Sequence, residues 1–347
     1  MSPGADYLSR SRRLVETVEA QLPEIRMAAR LFADTILAGR MVHLFGSGHS
    51  RILVEEMWPR YGSFPGFNPI VELSLSFHNM VVGANGQRQA MFLENVSGLA
   101  ARILRNYDLS PIDTALVASS SGCNIVPIEM AEEFRRRRVR VVAIISKQHS
   151  EKSQSKRADG KKLQDFAEIV LDTGAPVGDA MVRIPGLETP VSPGSTVGGC
   201  LLVNAIKAEV ADRLTRAGKP PLVLTAGAVV GTEKATQLFE GAYDEHSRRL
   251  ARLYAELGAK PVAVPAPGPV RDRADQSDRM DRSDPPRAAE ARFLRAEPRP
   301  RREPEERLAA GAVGWSPGSA ERPLPASSSS RDRPVLRRSQ GNRSGSR

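Results

Sequence analysis

The chain has 347 residues, of which 40% are hydrophobic, and carries a formal net charge of +10. Most of that charge lies in residues 258–347, which hold 19 Lys or Arg against 12 Asp or Glu. The high pI therefore does not indicate a nucleic-acid-binding fold, and no nucleic-acid partner is expected. Two cysteines exclude a disulfide framework, and no apolar run is long enough for a membrane span or a secretory signal, so we expect a cytoplasmic protein.

The chain begins with two predicted helices within residues 1–40. Leu14, Val18 and Leu22 repeat at helical spacing, and a second stripe runs from Ile25 to Ile36 after Pro23. Beyond them, helices are predicted at 51–58, 90–103, 127–137, 197–215 and 233–257, with Ser195 and Thr196 as caps of the fourth. Strands are predicted at 41–45, 68–75, 114–118, 139–145, 168–172 and 222–225.

Strands that alternate with helices indicate an α/β fold with a parallel sheet. The segments ALVA, VRVVAII and PLVLTA are almost entirely apolar, as is typical of strands covered on both faces. Ligands of open α/β sheets bind at the carboxyl ends of the strands, so this edge is the first place to look for a site.

Two turns rich in Ser and Gly follow predicted strands, in LFGSGHSR at 44–51 and LVASSSGCNI at 116–125. Hydroxyl groups and free backbone N–H groups before a helix favour an anion. Because both turns lie at the carboxyl edge, we predict that they hold one phosphate group together. The predicted ligands are Ser47, His49, Ser50, Ser119, Ser120, Ser121 and Asn124. The alternative is that they are ordinary turn and cap residues.

These turns carry a resemblance to a known family. GSGHS at 46–50, SSSGCN at 119–124, IISKQHS at 144–150 and GSTVGGCLLVNAI at 194–206 resemble the sugar isomerase (SIS) domain family, in its phosphoheptose-isomerase-like branch. The resemblance spans about 33–257. It implies a three-layer αβα sandwich with a five-stranded parallel sheet that binds phosphorylated sugars, usually as a dimer or tetramer. Residues 41–257 would form that domain, and helices in 1–40 would pair protomers.

Catalysis by isomerisation would need a base near the carbon beside the carbonyl. Glu55 and Glu56 follow the first turn on a predicted helix, and His78 follows a predicted strand, so these three are the catalytic candidates. Further candidates, each able to line the pocket or lie at the surface, are Glu72, Glu94, His49 and His149. Glu94 is expected to be partly exposed on its helix.

The chain also departs from the relatives that it resembles. Isomerase and etherase relatives commonly carry a catalytic glutamate ten residues after the first-turn serine, which is Arg60 here. The metal-binding histidine of some heptose isomerases would fall at Glu56, and a second etherase acid near Ser97. No metal or other cofactor is therefore predicted. The function favoured is an isomerase-type enzyme acting on a phosphorylated sugar or amino sugar, and the alternative is a non-catalytic sugar-phosphate sensor or regulatory subunit.

The last part of the chain, 258–347, is rich in Pro, Arg and Ser and poor in aromatic residues. Such a composition cannot bury enough apolar surface to offset the entropy of ordering, so we predict a disordered tail. The alternative is an arginine-rich arm for acidic partners.

Overall fold

The computed structural model describes residues 1–76 and 86–255. The predicted disordered tail, 258–347, lies outside the described residues. The helices are α1 Pro3–Glu19, α2 Leu22–Leu37, α3 Arg51–Met57, α4 Leu73–Ser76, α5 Gly86–Leu93, α6 Leu99–Leu104, α7 Ile125–Arg136, α8 Lys147–Lys152, α9 Ser195–Arg216, α10 Gly227–Val230 and α11 Thr232–Tyr254. The strands are β1 Val42–Gly46, β2 Phe67–Pro69, β3 Thr114–Ala118, β4 Arg140–Ile145, β5 Ile169–Asp172, β6 Ala180–Val182 and β7 Val191–Pro193.

Five strands form a parallel sheet in the order β2-β1-β3-β4-β5, which confirms the predicted fold class. From β1 the chain moves outward to β2, and from β3 it moves the other way to β4 and β5. The strand order therefore reverses between β1 and β3, whose last residues, Gly46 and Ala118, are paired. A crevice forms at such a reversal in open α/β sheets.

Both faces of the sheet are covered by helices. Successive strand side chains point to opposite faces, so Leu44 packs with α2, α3 and α9, while Phe45 packs with α6 and α7. Phe32 on α2 and Phe134 on α7 are fully buried on the two sides. The resulting three layers explain why the central strands are apolar along their whole length.

The second predicted strand, 68–75, is wrong from residue 70 onward. The strand ends at Pro69, and α4 begins at Leu73. Proline has no N–H for a strand ladder, and the Glu72 carboxylate accepts the N–H of Leu75 at 2.8 Å, which stabilises a helical start.

The helix predicted at 90–103 is two helices, α5 and α6. Gly98 takes a left-handed conformation, with φ of 84°, directly before α6. The carboxylate of Glu129 on α7 accepts the Gly98 N–H at 2.7 Å and the Ser97 hydroxyl at 2.5 Å, so a distant acid caps α6. The amphipathic pattern runs on through the break because both helices cover the same face of the sheet.

Residues 222–225, predicted as a strand, belong to no strand of the described structure. Leu224 instead exchanges two backbone hydrogen bonds with a turn: its carbonyl accepts the Gly62 N–H at 2.8 Å, and its N–H donates to the Ser63 carbonyl at 2.9 Å. The short antiparallel pair β6–β7 was not predicted, because three-residue strands leave too short a pattern. No helix among the described residues is long and apolar enough to cross a membrane.

Candidate functional site

A cavity of about 490 Å³ opens at the carboxyl edge of β1 and β3. Both Ser-rich turns line it, and the structure brings together there all seven residues predicted as phosphate ligands: Ser47, His49, Ser50, Ser119, Ser120, Ser121 and Asn124. The remaining walls come from α5, α8, the segment 173–179 and the start of α9, through Gln87, Ala90, Met91, Glu94, His149, Thr173, Gly178, Asp179, Ser195 and Thr196. The cavity therefore lies where the strand order reverses.

The first turn folds tightly onto the end of β1. The Ser50 N–H donates to the Ser47 carbonyl at 3.0 Å, which closes the turn ahead of α3. A side chain at Gly46 would place its Cβ 2.5 Å from the Ser50 carbonyl oxygen, so only glycine permits this approach. Gly48 has φ of 53°, in the left-handed region that also favours glycine.

The second turn is held by backbone hydrogen bonds from elements around it. Ser119 donates its N–H to Ile144, and Ser120 accepts the N–H of Ser146, at 3.0 and 2.9 Å. Gly122 accepts the N–H of Leu163 at 2.9 Å. The backbone of the turn is therefore fixed. The Ser119 and Ser121 hydroxyls accept the N–H groups of Gly122 and Cys123 at 3.3 and 3.2 Å, and each keeps its own proton to donate to a ligand.

The hydroxyl oxygen of Ser120 is buried with no hydrogen-bond partner in the described part of the chain. Leaving a buried polar group unpaired costs about 1–3 kcal/mol. Because Ser120 lines the cavity, a ligand with acceptor oxygens would remove that cost.

Glu94 lies directly after α5 and contacts both turns. Asn124 donates through Nδ2 to Glu94 Oε2 at 2.5 Å, and the side chain of Ser47 is hydrogen-bonded to the same carboxyl. The side chain is buried, with 9% exposure, so the expected partial exposure is wrong. Glu94 donates its N–H to the Ala90 carbonyl at 2.9 Å, so it continues the face of α5 on which Gln87 and Ala90 line the cavity.

Burial raises the pKa of Glu94 above its ordinary value, and this effect outweighs the lowering by Ser47, Lys156 and Asn124. Such a carboxyl in a cavity is suited to gaining and losing a proton. No local motif marks Glu94 as more than one of several further candidates, since neither turn is near it in the chain.

The wall opposite the turns includes His149 on α8. Its Nδ1 accepts the Gly178 N–H at 3.0 Å, so the neutral ring carries its proton on Nε2. The backbone N–H of His149 lies 3.3 Å from the Ser146 hydroxyl, which caps α8. His149 can therefore present a donor to a ligand in the cavity.

Asp179 is fully engaged with the start of α9. Its carboxylate accepts the N–H groups of Gly194 and Ser195 at 3.0 and 2.6 Å and the Ser195 hydroxyl at 2.7 Å. The prediction that Ser195 and Thr196 cap this helix is wrong, because Gly194 is the cap residue and Asp179 supplies the acceptor. A cap that comes from 16 residues earlier has no local sequence signature.

Glu55 and Glu56 are not among the described residues that line the cavity. Leu53 is the α3 side chain on that wall. Glu55 points to solvent and pairs with Arg51 at 2.7 Å. Since helical residues advance by about 100° each, Glu55 lies about 200° around α3 from Leu53, on the side away from the cavity.

Glu56 faces α9 instead. Asn204 donates to its carboxylate at 2.8 Å, and Arg60 forms an ion pair with it. Although partial burial raises the pKa of Glu56, these two contacts lower it overall.

Of the other candidates, Glu72 caps α4, and His78 lies in 77–85, outside the described residues. The residues that the structure describes contain no group of three His, Cys, Asp or Glu placed to hold a metal ion.

Comparison with known proteins identifies the family. The SIS domain model matches residues 6–146. The UPF0309 protein of Halalkalibacterium halodurans is 34% identical over 223 residues, which cover 64% of this chain and 90% of that protein. The chain belongs to the SIS domain family. The UPF0309 protein of Thermoanaerobacter pseudethanolicus is a similar relative of this SIS-domain protein, 34% identical over 234 residues, 66% of this chain and 92% of its own.

Among solved structures, this SIS-domain protein is similar to the phosphoheptose isomerase of Neisseria gonorrhoeae. That structure is 14% identical, with a TM-score of 0.38, and the match covers 60% of this chain and 96% of that one.

Proposed function

We propose that this SIS-domain protein binds a phosphorylated sugar or amino sugar, with the phosphate group between the two Ser-rich turns. The observation that carries this proposal is that both turns line one cavity, where the buried Ser120 hydroxyl has no partner among the described residues. Hydroxyl and backbone N–H donors suit a phosphate, and the start of α7 adds the positive end of a helix dipole beside the second turn.

We infer further that Glu94 is the base of an isomerase-type reaction. Two of the described side chains that line the cavity are carboxylates, and Asp179 already accepts three hydrogen bonds. Glu94 remains, and burial raises its pKa toward the working range of a general base. In the proposed reaction Glu94 takes the proton from the carbon beside the carbonyl, which leaves an enediolate. A proton then passes from the neighbouring hydroxyl to the former carbonyl oxygen, and Glu94 returns its proton to the former carbonyl carbon.

The second candidate function is a sensor that binds the same ligand without chemistry. It is favoured by the positions of Glu55 and Glu56, which point away from the cavity, and by Arg60, which pairs with Glu56 at the place where catalytic relatives commonly carry a glutamate. A sensor would use the same turns and would not need Glu94 to move a proton.

The experiment that separates these functions has two stages. A thermal-shift panel of sugar phosphates first identifies a binder, and incubation of that binder in deuterium oxide then reports exchange at the carbon beside the carbonyl. We expect exchange with the wild type and its loss in Glu94→Gln, with binding retained. Binding without exchange in the wild type would establish the sensor, and no binding by any sugar phosphate would contradict the proposal as a whole.

We also propose a homo-oligomer, at least a dimer, formed through the N-terminal helices. α1 and α2 leave the apolar side chains of Leu8, Val15 and Met27 exposed at 62%, 47% and 57%. Their buried side chains meanwhile pack in the core, with Val18 and Phe32 next to α9. Light scattering at micromolar concentration should give at least twice the mass of one chain, and a clean monomer would contradict the proposal.

A further inference from the structure

Glu94 occupies an unusual place for a carboxylate. It accepts from Asn124 of one turn and is hydrogen-bonded to Ser47 of the other, and both are proposed donors to phosphate. Its Oε1 lies 3.6 Å from the point where a Cβ on Gly48 would be. A carboxylate this close to the anion site repels a dianion, and the repulsion is strong where water is excluded.

The repulsion disappears if a proton lies between the two groups. Either a protonated phosphate oxygen donates to the Glu94 carboxylate, or a protonated Glu94 donates to a phosphate oxygen. In both cases one proton is held between two oxygens in a charge-assisted hydrogen bond. An anion with no proton to give, such as sulfate near neutral pH, can bind only when Glu94 itself takes one up from solvent.

We propose that Glu94 determines the specificity of the anion site, selecting phosphomonoesters, which can share a proton with it, over fully deprotonated tetrahedral anions. This inference rests on the proposed function, because it requires the two turns to hold the phosphate. While Glu94 shares a proton with the phosphate it cannot take one from carbon, so this role and the role of base exclude each other in one complex. Loss of exchange in Glu94→Gln with an unchanged anion preference would assign Glu94 to catalysis alone.

Other charged groups surround Glu94 and must be separated from its effect. The first turn contributes His49, the far wall contributes His149 and Asp179, and Lys156 acts on Glu94 by charge attraction. The part of α5 that lines the cavity contributes the uncharged Gln87, Ala90 and Met91. Because a Glu94→Gln variant keeps all of these groups, the difference between wild type and variant isolates Glu94. Burial raises the pKa of Glu94, which reduces the cost of holding its proton.

The test is calorimetric titration of the full chain with inorganic phosphate and with inorganic sulfate. For the wild type we expect phosphate to bind at least about tenfold more tightly than sulfate, since a hydrogen bond to a charged group contributes about 1.5–3 kcal/mol. Sulfate affinity should fall as the pH rises through neutrality. Titrations in buffers of different ionisation enthalpy should show proton uptake when sulfate binds.

Glu94→Gln should remove the preference. The amide can still accept from Asn124 and can donate to either anion, so sulfate should bind at least about tenfold more tightly than it does to the wild type. The matched control is Glu188→Gln, which makes the same change at an exposed position between β6 and β7 and should leave both affinities unchanged. Circular dichroism before and after titration checks that each variant is folded.

Equal affinity of the folded wild type for phosphate and sulfate would overturn this inference while leaving the phosphate site intact. An unchanged preference in folded Glu94→Gln would overturn it as well. If the variant does not fold, sulfate binding to the wild type without proton uptake would overturn the inference. If neither anion binds and no sugar phosphate binds, the proposed function fails, and the inference fails with it.

Discussion

Buried polar residues gather at two places along β1 and β3, and they are organised in opposite ways. Toward the amino ends, Asp113 accepts two hydrogen bonds from Arg40, at 2.7 and 2.8 Å, and lies 3.3 Å from His43 Nε2. Asn68 contacts the other ring nitrogen of His43 at 3.0 Å. At the carboxyl ends, Ser120 has an unpartnered hydroxyl among the described residues, beside an open cavity.

The comparison distinguishes buried polar groups that stabilise the fold from buried polar groups that are available to a ligand. The network of Arg40, His43, Asn68 and Asp113 pairs its two charged groups, Arg40 and Asp113, within the protein, although His43 Nε2 forms no well-aligned hydrogen bond among the described residues. It has no cavity beside it among those described. In the Ser-rich turns, by contrast, the Ser120 hydroxyl is left to donate a hydrogen bond to a ligand. A histidine buried in a strand, such as His43, is therefore structural here, although histidine is a frequent catalytic residue.

The largest effect on stability should follow from breaking the amino-end network, which consists of Arg40, His43, Asn68 and Asp113. Asp113→Ala leaves the Arg40 guanidinium, 16% exposed, without its buried carboxylate. We expect a loss of about 3–5 kcal/mol in the free energy of unfolding, because one half of a buried ion pair is left alone. Urea denaturation measures it, and a loss below about 1 kcal/mol would show that the network contributes little.

The same network predicts a response to acid. Burial alone would raise the pKa of Asp113, but its contacts with His43, Arg40 and the Ser110 N–H lower it overall. Because the folded pKa is lower than the ordinary value of 3.8, the stabilisation is present above that value and is lost as the pH falls through the folded pKa. Wild type and Asp113→Ala should thus converge in stability at strongly acidic pH. A gap that stays constant would contradict the assignment.

The next effect concerns the carboxyl end. Ser121→Asp places a negative charge against the proposed phosphate position and should reduce phosphate affinity at least about 100-fold, with the chain still folded. Ser121→Asn, which is neutral and of similar size, is the matched control and should weaken binding far less. Isothermal titration calorimetry measures both, and retained affinity in a folded Asp variant would remove Ser121 from the site.

A smaller effect tests the unpartnered hydroxyl. Ser120→Ala removes a buried hydroxyl that forms no hydrogen bond with the described residues, so the free energy of unfolding should rise by up to about 1–3 kcal/mol, the cost of leaving that group unpaired. Phosphate affinity should fall by about three- to tenfold, because the ligand loses one donor. If stability falls and affinity does not, the hydroxyl belongs to the fold, as in the amino-end network.

The smallest effect is expected at Glu55. Its carboxylate pairs with Arg51 on the surface of α3 and is 52% exposed, so Glu55→Gln should change stability by at most about 0.5 kcal/mol. Deuterium exchange into a bound sugar phosphate should match that of the wild type. A loss of exchange comparable to that of Glu94→Gln would indicate that Glu55 on α3 takes part in catalysis.

The parallel sheet and the two turns could be predicted because their signals are local. The apolar runs of β3 and β4 and the Ser-Gly composition after β1 and β3 are each contained in a few consecutive residues. The walls of the cavity could not be predicted in the same way. Glu94 meets the second turn through its hydrogen bond with Asn124, 30 residues later, and the next helix starts through a cap from Glu129. Such contacts join residues that are far apart in the chain.

Crystallography of the protein with inorganic phosphate tests the central claim most directly. We predict density for one tetrahedral group within hydrogen-bond distance of both turns, including Ser50 and Ser121, and next to the Ser120 hydroxyl. Density at one turn alone, or a cavity that stays without an anion at saturating phosphate, would contradict the claim that the two turns hold a single phosphate.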